Sequence, residues 1–178
     1  MPKSTSYATS ENEVKIMAMD DSKLARWPVP YESLTVPTRC GDTHIIASGR
    51  QDALPLVLIH ALGVTSTMWL PNVAALSRDY RTYALDTIGD LGKSTLYEHD
   101  LYPKNGQAYS EWLVDVFNEI GIGQAHVIGA CSQRCYRCAP AKVHLRPASL
   151  AREGVFDTRN AADAPAVGGT GELNCATS

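Results

Sequence analysis

The run Leu54-Pro-Leu-Val-Leu-Ile59 is almost uninterruptedly apolar. A strand without alternation of apolar and polar residues is typical of a sheet that is covered on both faces. Two more strands are predicted at Tyr80–Leu85 and Ala125–Ile128. Helical segments lie between the three strands, and this order predicts a parallel α/β sheet with right-handed crossovers.

The residues that precede the first parallel strand predict a hairpin and a helix. Ser33–Thr38 and Thr43–Ala47 flank the turn Cys40-Gly41-Asp42 and favour an antiparallel pair of strands. Glu13–Trp27 has apolar residues at mixed helical spacing and predicts a short, loosely packed helix. Pro28 follows it directly and ends the helix.

Two further helices are predicted between the parallel strands. Pro71–Ser77 is short, and its proline suits the first turn of a helix. Ala108–Ile120 is clearer, because its apolar residues recur at helical spacing and form one face. They are Tyr109, Trp112, Leu113, Val116, Phe117 and Ile120.

Length and composition set limits on the class of protein. The 178 residues suffice for one domain with a core, and the net charge of −3 gives no reason to expect a nucleic-acid partner. No apolar run approaches the roughly 20 residues that span a membrane. Met1–Asn12 is polar and lacks the apolar core of a secretory signal, so a cytoplasmic location is expected. Nothing in the sequence indicates the oligomeric state.

Three motifs follow the three predicted parallel strands in order. The first strand leads into His60-Ala-Leu-Gly63, and the second into Asp86-Thr-Ile-Gly-Asp-Leu-Gly-Lys-Ser94. The third is His126-Val-Ile-Gly-Ala130, which leads into Cys131-Ser-Gln133. A strand that ends in Gly-x before a nucleophile is the beginning of a G-x-S-x-G elbow, but here cysteine and glutamine replace the serine and the second glycine.

With these motifs in this order, residues from about 26 to 130 resemble the N-terminal half of an α/β-hydrolase-fold enzyme of the esterase or lipase type. The resemblance implies a partial α/β-hydrolase sheet, made of the hairpin and three parallel strands with crossover helices. It also implies a hydrolase that acts on an ester or a similar acyl bond of a small-molecule substrate, with no cofactor and no metal.

The resemblance places Cys131 at the nucleophile position. The backbone amides of Leu62 and Ser132 would then form the oxyanion hole. Gln133 stands where family members usually have glycine, and it crowds the turn that would present the nucleophile. The sequence after Cys131 contains no acid and histidine placed as in the family, so we expect this chain to be inactive or nearly so.

Other residues of these motifs are expected to have structural roles. We expect His60 to be a buried histidine that is hydrogen-bonded to backbone, and Asp86 and Ser94 to order the loop after their strand. Ala61 replaces the usual glycine of the oxyanion loop, which a negative φ would tolerate, and Gly63 can supply flexibility instead.

The chain divides at residue 130. Residues 1–130 form the predicted half-domain, whereas residues 131–178 are rich in Ala, Arg, Gly and Cys, with apolar residues scattered singly. We expect an irregular, low-order tail, with a possible short helix near Pro147–Glu153. A shifted reading frame or a truncation joined to foreign sequence explains the abrupt change, and natural divergence of the C-terminus is the alternative.

Two other functions stay open. Cys131, Cys135 and Cys138 match C-x3-C-x2-C, which resembles an iron–sulfur signature and could equally belong to a zinc site completed by His144 or Cys175. The motif would normally be followed by a barrel of strands, for which too little chain follows. The second alternative is a non-catalytic remnant, which predicts the same N-terminal sheet without turnover.

Overall fold

A seven-stranded sheet forms the centre of the protein, for which the computed structural model describes residues 10–130 and 141–143. Six of the strands lie in the order β1-β2-β4-β3-β6-β7, and the seventh, β5, pairs with β2 outside this order. The strands are β1 (Tyr31–Pro37), β2 (Gly41–Ser48), β3 (Leu54–Ile59), β4 (Tyr80–Leu85), β5 (Thr95–Leu96), β6 (Ala125–Gly129) and β7 (Ala141–Val143).

The predicted parallel strands lie side by side. β3 pairs in parallel with both β4 and β6, and Val57 stands opposite Tyr83 on one side and Val127 on the other. The hairpin β1–β2 is antiparallel, as predicted, and is longer than expected at both strands. The hairpin and the three neighbouring parallel strands expected from the resemblance are therefore confirmed.

Within the described ranges three helices cover this sheet: α1 (Ser10–Leu24), α2 (Leu70–Leu76) and α3 (Gly106–Glu119), with 3₁₀ turns at Ser66–Trp69 and His99–Leu101. The side chain of Asn105 accepts the Ala108 N–H at 2.9 Å and so caps the start of α3. At the other end Gly121, with a φ of 71°, lets the chain leave the helix.

The helices bury both faces of the sheet. On one face Trp112 and Phe117 of α3 pack with Val57 and other strand residues. On the opposite face Leu24 of α1 and Val73 of α2 belong to a second cluster that includes neighbouring strand residues. Because β3 is covered on both sides, its sequence has no polar alternation.

β5 and β7 were not predicted from the sequence. β7 pairs antiparallel with β6, with Ala125 opposite Val143. Strands of two or three residues are too short for a periodic signal, and the open edge of β6 supplies the backbone partners that β7 uses. The division at residue 130 and the helix near residues 147–153 stay predictions, since the helix lies outside the described residues. Over the described part of the chain, no helix is long and apolar enough to cross a membrane.

A buried carboxylate, Asp86, holds several segments together at the end of β4. Its Oδ1 accepts the Ser66 N–H at 2.8 Å, and its Oδ2 accepts the Lys93 N–H at 2.9 Å. His44 Nδ1 of β2 lies 2.8 Å from Oδ2. Ser94 Oγ donates to the Asp86 carbonyl at 2.6 Å and accepts the His44 N–H at 2.9 Å. This confirms that Asp86 and Ser94 order the loop after β4.

These contacts change the acidity of Asp86. Burial by itself raises the pKa of the Asp86 carboxyl, but the hydrogen bond and electrostatic interaction with His44, together with the Lys93 and Ser66 amides, outweigh burial. The pKa therefore lies below its ordinary value, and the side chain is a carboxylate at neutral pH.

We predict that Asp86→Asn lowers the free energy of unfolding at neutral pH by about 3 kcal/mol. The carboxylate accepts hydrogen bonds through both oxygens, whereas the Asn side chain has one acceptor oxygen and an NH₂ group that can only donate. A carboxyl whose pKa is lowered by folding stabilises the protein above its unfolded-state pKa of about 3.9 and loses that effect as pH falls through the folded-state value. The difference between the two proteins should therefore shrink below about pH 4. Urea unfolding followed by tryptophan fluorescence across this pH range measures it.

The matched control is Asp79→Asn, which changes an exposed carboxylate to the same amide. It should leave the unfolding transition almost unchanged. An Asp86→Asn difference that stayed constant as pH fell below 4 would contradict the assignment of a lowered pKa.

Candidate active site

The carboxyl ends of the three parallel strands meet at one edge of the sheet. Ile59 of β3 stands opposite Leu85 of β4 and Gly129 of β6. The Ala130 N–H donates to the Ile59 carbonyl at 3.0 Å. The chain therefore leaves β6 directly beside the loop that follows β3. Ligands of α/β sheets bind at such carboxyl ends.

His60 begins the loop after β3 and is 4% exposed. Its Nδ1 lies 2.8 Å from the Ala61 carbonyl, and its Nε2 lies 2.9 Å from the Thr87 amide nitrogen. Because an amide N–H can only donate, Nε2 must accept and Nδ1 must carry the proton. Both ring nitrogens are thus occupied by backbone groups, which confirms the expected structural role and leaves His60 no free lone pair to act as a base.

The amides of the next three residues have different partners. The Ala61 N–H donates to Met68 Sδ at 3.3 Å, and the Gly63 N–H lies 3.1 and 3.2 Å from the two carboxylate oxygens of Asp90. The Leu62 N–H has no hydrogen-bond partner within residues 10–130 and 141–143, and its side chain is 68% exposed. Of these three amides, that of Leu62 alone is therefore without a partner in the part of the chain that the structure describes.

The backbone conformation of this loop agrees with its sequence. Within the described residues only glycines have a positive φ, so the methyl group of Ala61 is tolerated. Gly63 has a φ of 80°, which bends the chain directly after Leu62. Gly63 thus supplies the turn, as expected.

Two carboxylates hold the loop, and neither was predicted from the sequence. Asp90, with its side chain 12% exposed, binds the Gly63 amide. Asp20 of α1 accepts hydrogen bonds from the hydroxyls of Thr65 and Thr67, the latter at 2.8 Å. Asp90 lies in the glycine-rich motif after β4, which is a weak signal. Asp20 is one of several acidic residues on a polar helix and carries no signal.

The structure also contains an acid–histidine pair, Asp86 and His44, which the sequence did not indicate. His44 lies on β2, and β4 and β3 separate that strand from β6. Three strand spacings correspond to about 14 Å. The pair therefore cannot take a proton from a residue that directly follows β6.

Several predicted site residues lie outside the described part of the chain. Cys131, Ser132 and Gln133 are among them, so of the predicted site only Leu62 can be located. Cys135 and Cys138 of the alternative metal site also lie outside it. Across residues 10–130 no three histidine, cysteine or acidic side chains are grouped so that they could hold a metal ion.

Comparison with known proteins identifies two relatives that are named carboxylesterases. The chain is 44% identical over 124 residues to the uncharacterized carboxylesterase nap of Bacillus subtilis, a match that covers 67% of this chain and 39% of that protein. It is 40% identical over 126 residues to the carboxylesterase YbfK of the same organism, covering 71% and 42%. The chain thus spans about two fifths of the length of these relatives. No family model matches it.

Solved structures of carboxylesterases are also similar to this chain. The naproxen esterase of Bacillus subtilis superposes with a TM-score of 0.63 at 44% identity, over 69% of this chain and 42% of that one. The carboxylesterase CesB (YbfK) gives a TM-score of 0.63 at 41% identity, over 67% and 41%. The N-terminal part of this chain therefore belongs to the α/β-hydrolase fold family and is similar to carboxylesterases of that fold.

Proposed function

We propose that this chain is an ester hydrolase of very low turnover, in which Cys131 is the nucleophile and the Leu62 and Ser132 amides bind the oxyanion. The main support for the proposal is the Leu62 amide, which has no partner among the described residues. It lies in the loop beside the point where the chain leaves β6. The relatives are named carboxylesterases, which supports an ester as the substrate class.

The chemistry is an acyl transfer to sulfur. The Cys131 thiolate attacks the ester carbonyl, a carbon–sulfur bond forms, and the carbonyl oxygen becomes an oxyanion. Two backbone N–H groups stabilise that charge without any rearrangement of solvent. Collapse of the intermediate expels the alcohol as an alkoxide, which takes a proton from water, and leaves a thioester on Cys131.

Two steps are expected to be slow: deprotonation of the Cys131 thiol and activation of the water that hydrolyses the acyl-enzyme. A free thiol with a pKa near 8.5 is only a few per cent thiolate at neutral pH. Neither buried histidine described above can help, because His60 has both ring nitrogens occupied and His44 lies on the wrong strand. Acylation is therefore slow, and neither of these two histidines can activate water to hydrolyse the acyl-enzyme.

The remaining properties follow from sequence alone and stay predictions. They are a small acyl ester as substrate, no nucleic-acid partner and a cytoplasmic location. Cys131, Cys135 and Cys138 as a metal or cluster site, and a non-catalytic remnant, stay alternatives without support from a specific contact.

We predict that an activated ester such as p-nitrophenyl acetate releases at most a single equivalent of p-nitrophenol through Cys131, because neither His60 nor His44 can activate water for deacylation. Release is followed by absorbance, and peptide mass spectrometry locates the acetyl group. Cys131→Ala should remove the acetyl group from that peptide. Multiple turnovers that disappear in Cys131→Ala would show that a base does serve this site.

The Leu62 amide can be tested by deleting its hydrogen. Leu62→Pro removes the N–H and should slow acylation of Cys131 by roughly a hundredfold, the usual effect of losing one oxyanion donor. Leu62→Ala is the matched control, since it keeps the amide and changes only an exposed side chain. Equal acylation rates for the two variants would exclude Leu62 from the oxyanion hole.

A further inference from the structure

Beside the carboxyl end of β4, three side chains form a hydrogen-bonded chain across neighbouring strands. Ser33 lies on β1, His44 on β2, and Asp86 directly after β4. Ser33 Oγ is 2.8 Å from His44 Nε2, and His44 Nδ1 is 2.8 Å from Asp86 Oδ2. A hydroxyl, an imidazole and a carboxylate in this order can activate a serine as a nucleophile.

The partners of Asp86 define where the protons lie. Its two oxygens already accept the Ser66 and Lys93 amides, and a carboxylate can only accept. His44 Nδ1 therefore carries the proton of the His44–Asp86 hydrogen bond. In the neutral imidazole the other nitrogen, Nε2, then has a lone pair, and Ser33 donates its hydroxyl proton to it. This is the tautomer that a general base requires.

Burial separates the base from solvent and leaves the nucleophile open. His44 is 3% exposed and Asp86 is fully buried, whereas Ser33 is exposed. The His44 backbone N–H donates to Ser94 Oγ, and the ring Nδ1 donates to Asp86 Oδ2. Both the backbone and the ring of His44 are therefore held in place. β1 is the first strand in the order of the sheet, so a reagent can reach Ser33 without crossing another strand.

We propose that Ser33 is a second nucleophile of this protein, activated by His44 and Asp86, and that activated phosphonyl and acyl compounds modify it. The site does not depend on Cys131 or on the proposed esterase function. The site lies towards the β1 edge of the sheet, and β4 and β3 separate the strand of His44 from β6, which leads to Cys131.

With a fluorophosphonate the step balances as follows. Ser33 Oγ attacks phosphorus, the oxygen–phosphorus bond forms, and the phosphorus–fluorine bond breaks. The hydroxyl proton moves to His44 Nε2, and fluoride leaves into solvent. The proposal concerns formation of this adduct, which needs only the nucleophile and its base.

The test is to treat the full chain carrying Cys131→Ala with a fluorophosphonate probe and to map the adduct by peptide mass spectrometry. We expect the adduct on Ser33 in the folded protein and its loss in concentrated urea, where the serine persists but its contact with His44 does not. Ser33→Ala should abolish the adduct. Thr35→Ala, which removes an exposed hydroxyl two residues along the same strand, should leave it unchanged.

Replacing the proposed base, His44, tests whether the rate of Ser33 labelling depends on it. His44→Gln should slow labelling of Ser33 by roughly a hundredfold or more, since general bases contribute about 10²–10⁴-fold. If that variant does not fold, the comparison between native and urea-treated protein decides the question. No adduct on Ser33 in native protein, equal labelling in urea, or an unchanged rate in a folded His44→Gln protein would overturn the proposal.

Because Cys131 is absent from the tested protein, the result is separate from the esterase proposal. An adduct on Ser33 can form whether or not Cys131 is acylated by esters. Failure of Ser33 to react likewise leaves the p-nitrophenyl ester result standing.

Discussion

The buried carboxylate of Asp86 is the contact on which the carboxyl end of the sheet depends. It accepts N–H groups from Ser66 and Lys93 and pairs with His44, so that three segments far apart in sequence meet at one charge. A buried charge that loses its donors costs several kcal/mol. The 3₁₀ turn at Ser66 and the loop after β4 are thus fixed together, and between them they position the His60 loop.

The histidine of that loop cannot act as a base. His60 gives both nitrogens to backbone groups, and the amides on either side of Leu62 are bound by Met68 and Asp90. Over the described residues the Leu62 amide alone of these three is left for a ligand. His44, which pairs with Asp86 and contacts Ser33, lies on β2, and β4 separates that strand from β3, which leads into the His60 loop.

Most of the fold could be predicted, because the pattern of apolar residues indicates which faces of the strands and helices are buried. The apolar run of β3 and the one-sided pattern of α3 depend only on which residues face water. The short strands β5 and β7 could not be predicted, since their pairing depends on a neighbouring edge. The contacts of Asp20 with Thr65 and of Asp90 with Gly63 join residues far apart in the chain, and no local pattern marks them.

The sequence by itself determined the parallel sheet, the order of its motifs and the cysteine that follows β6, since these depend on local pattern and residue identity. Only the tertiary structure decided that His60 is occupied on both nitrogens, that the Leu62 amide is free of partners among the described residues, and that Asp86 and His44 reach Ser33. The reason is physical. A hydrogen bond depends on distance and direction between two groups, and for segments on different strands these are defined only when the sheet has formed.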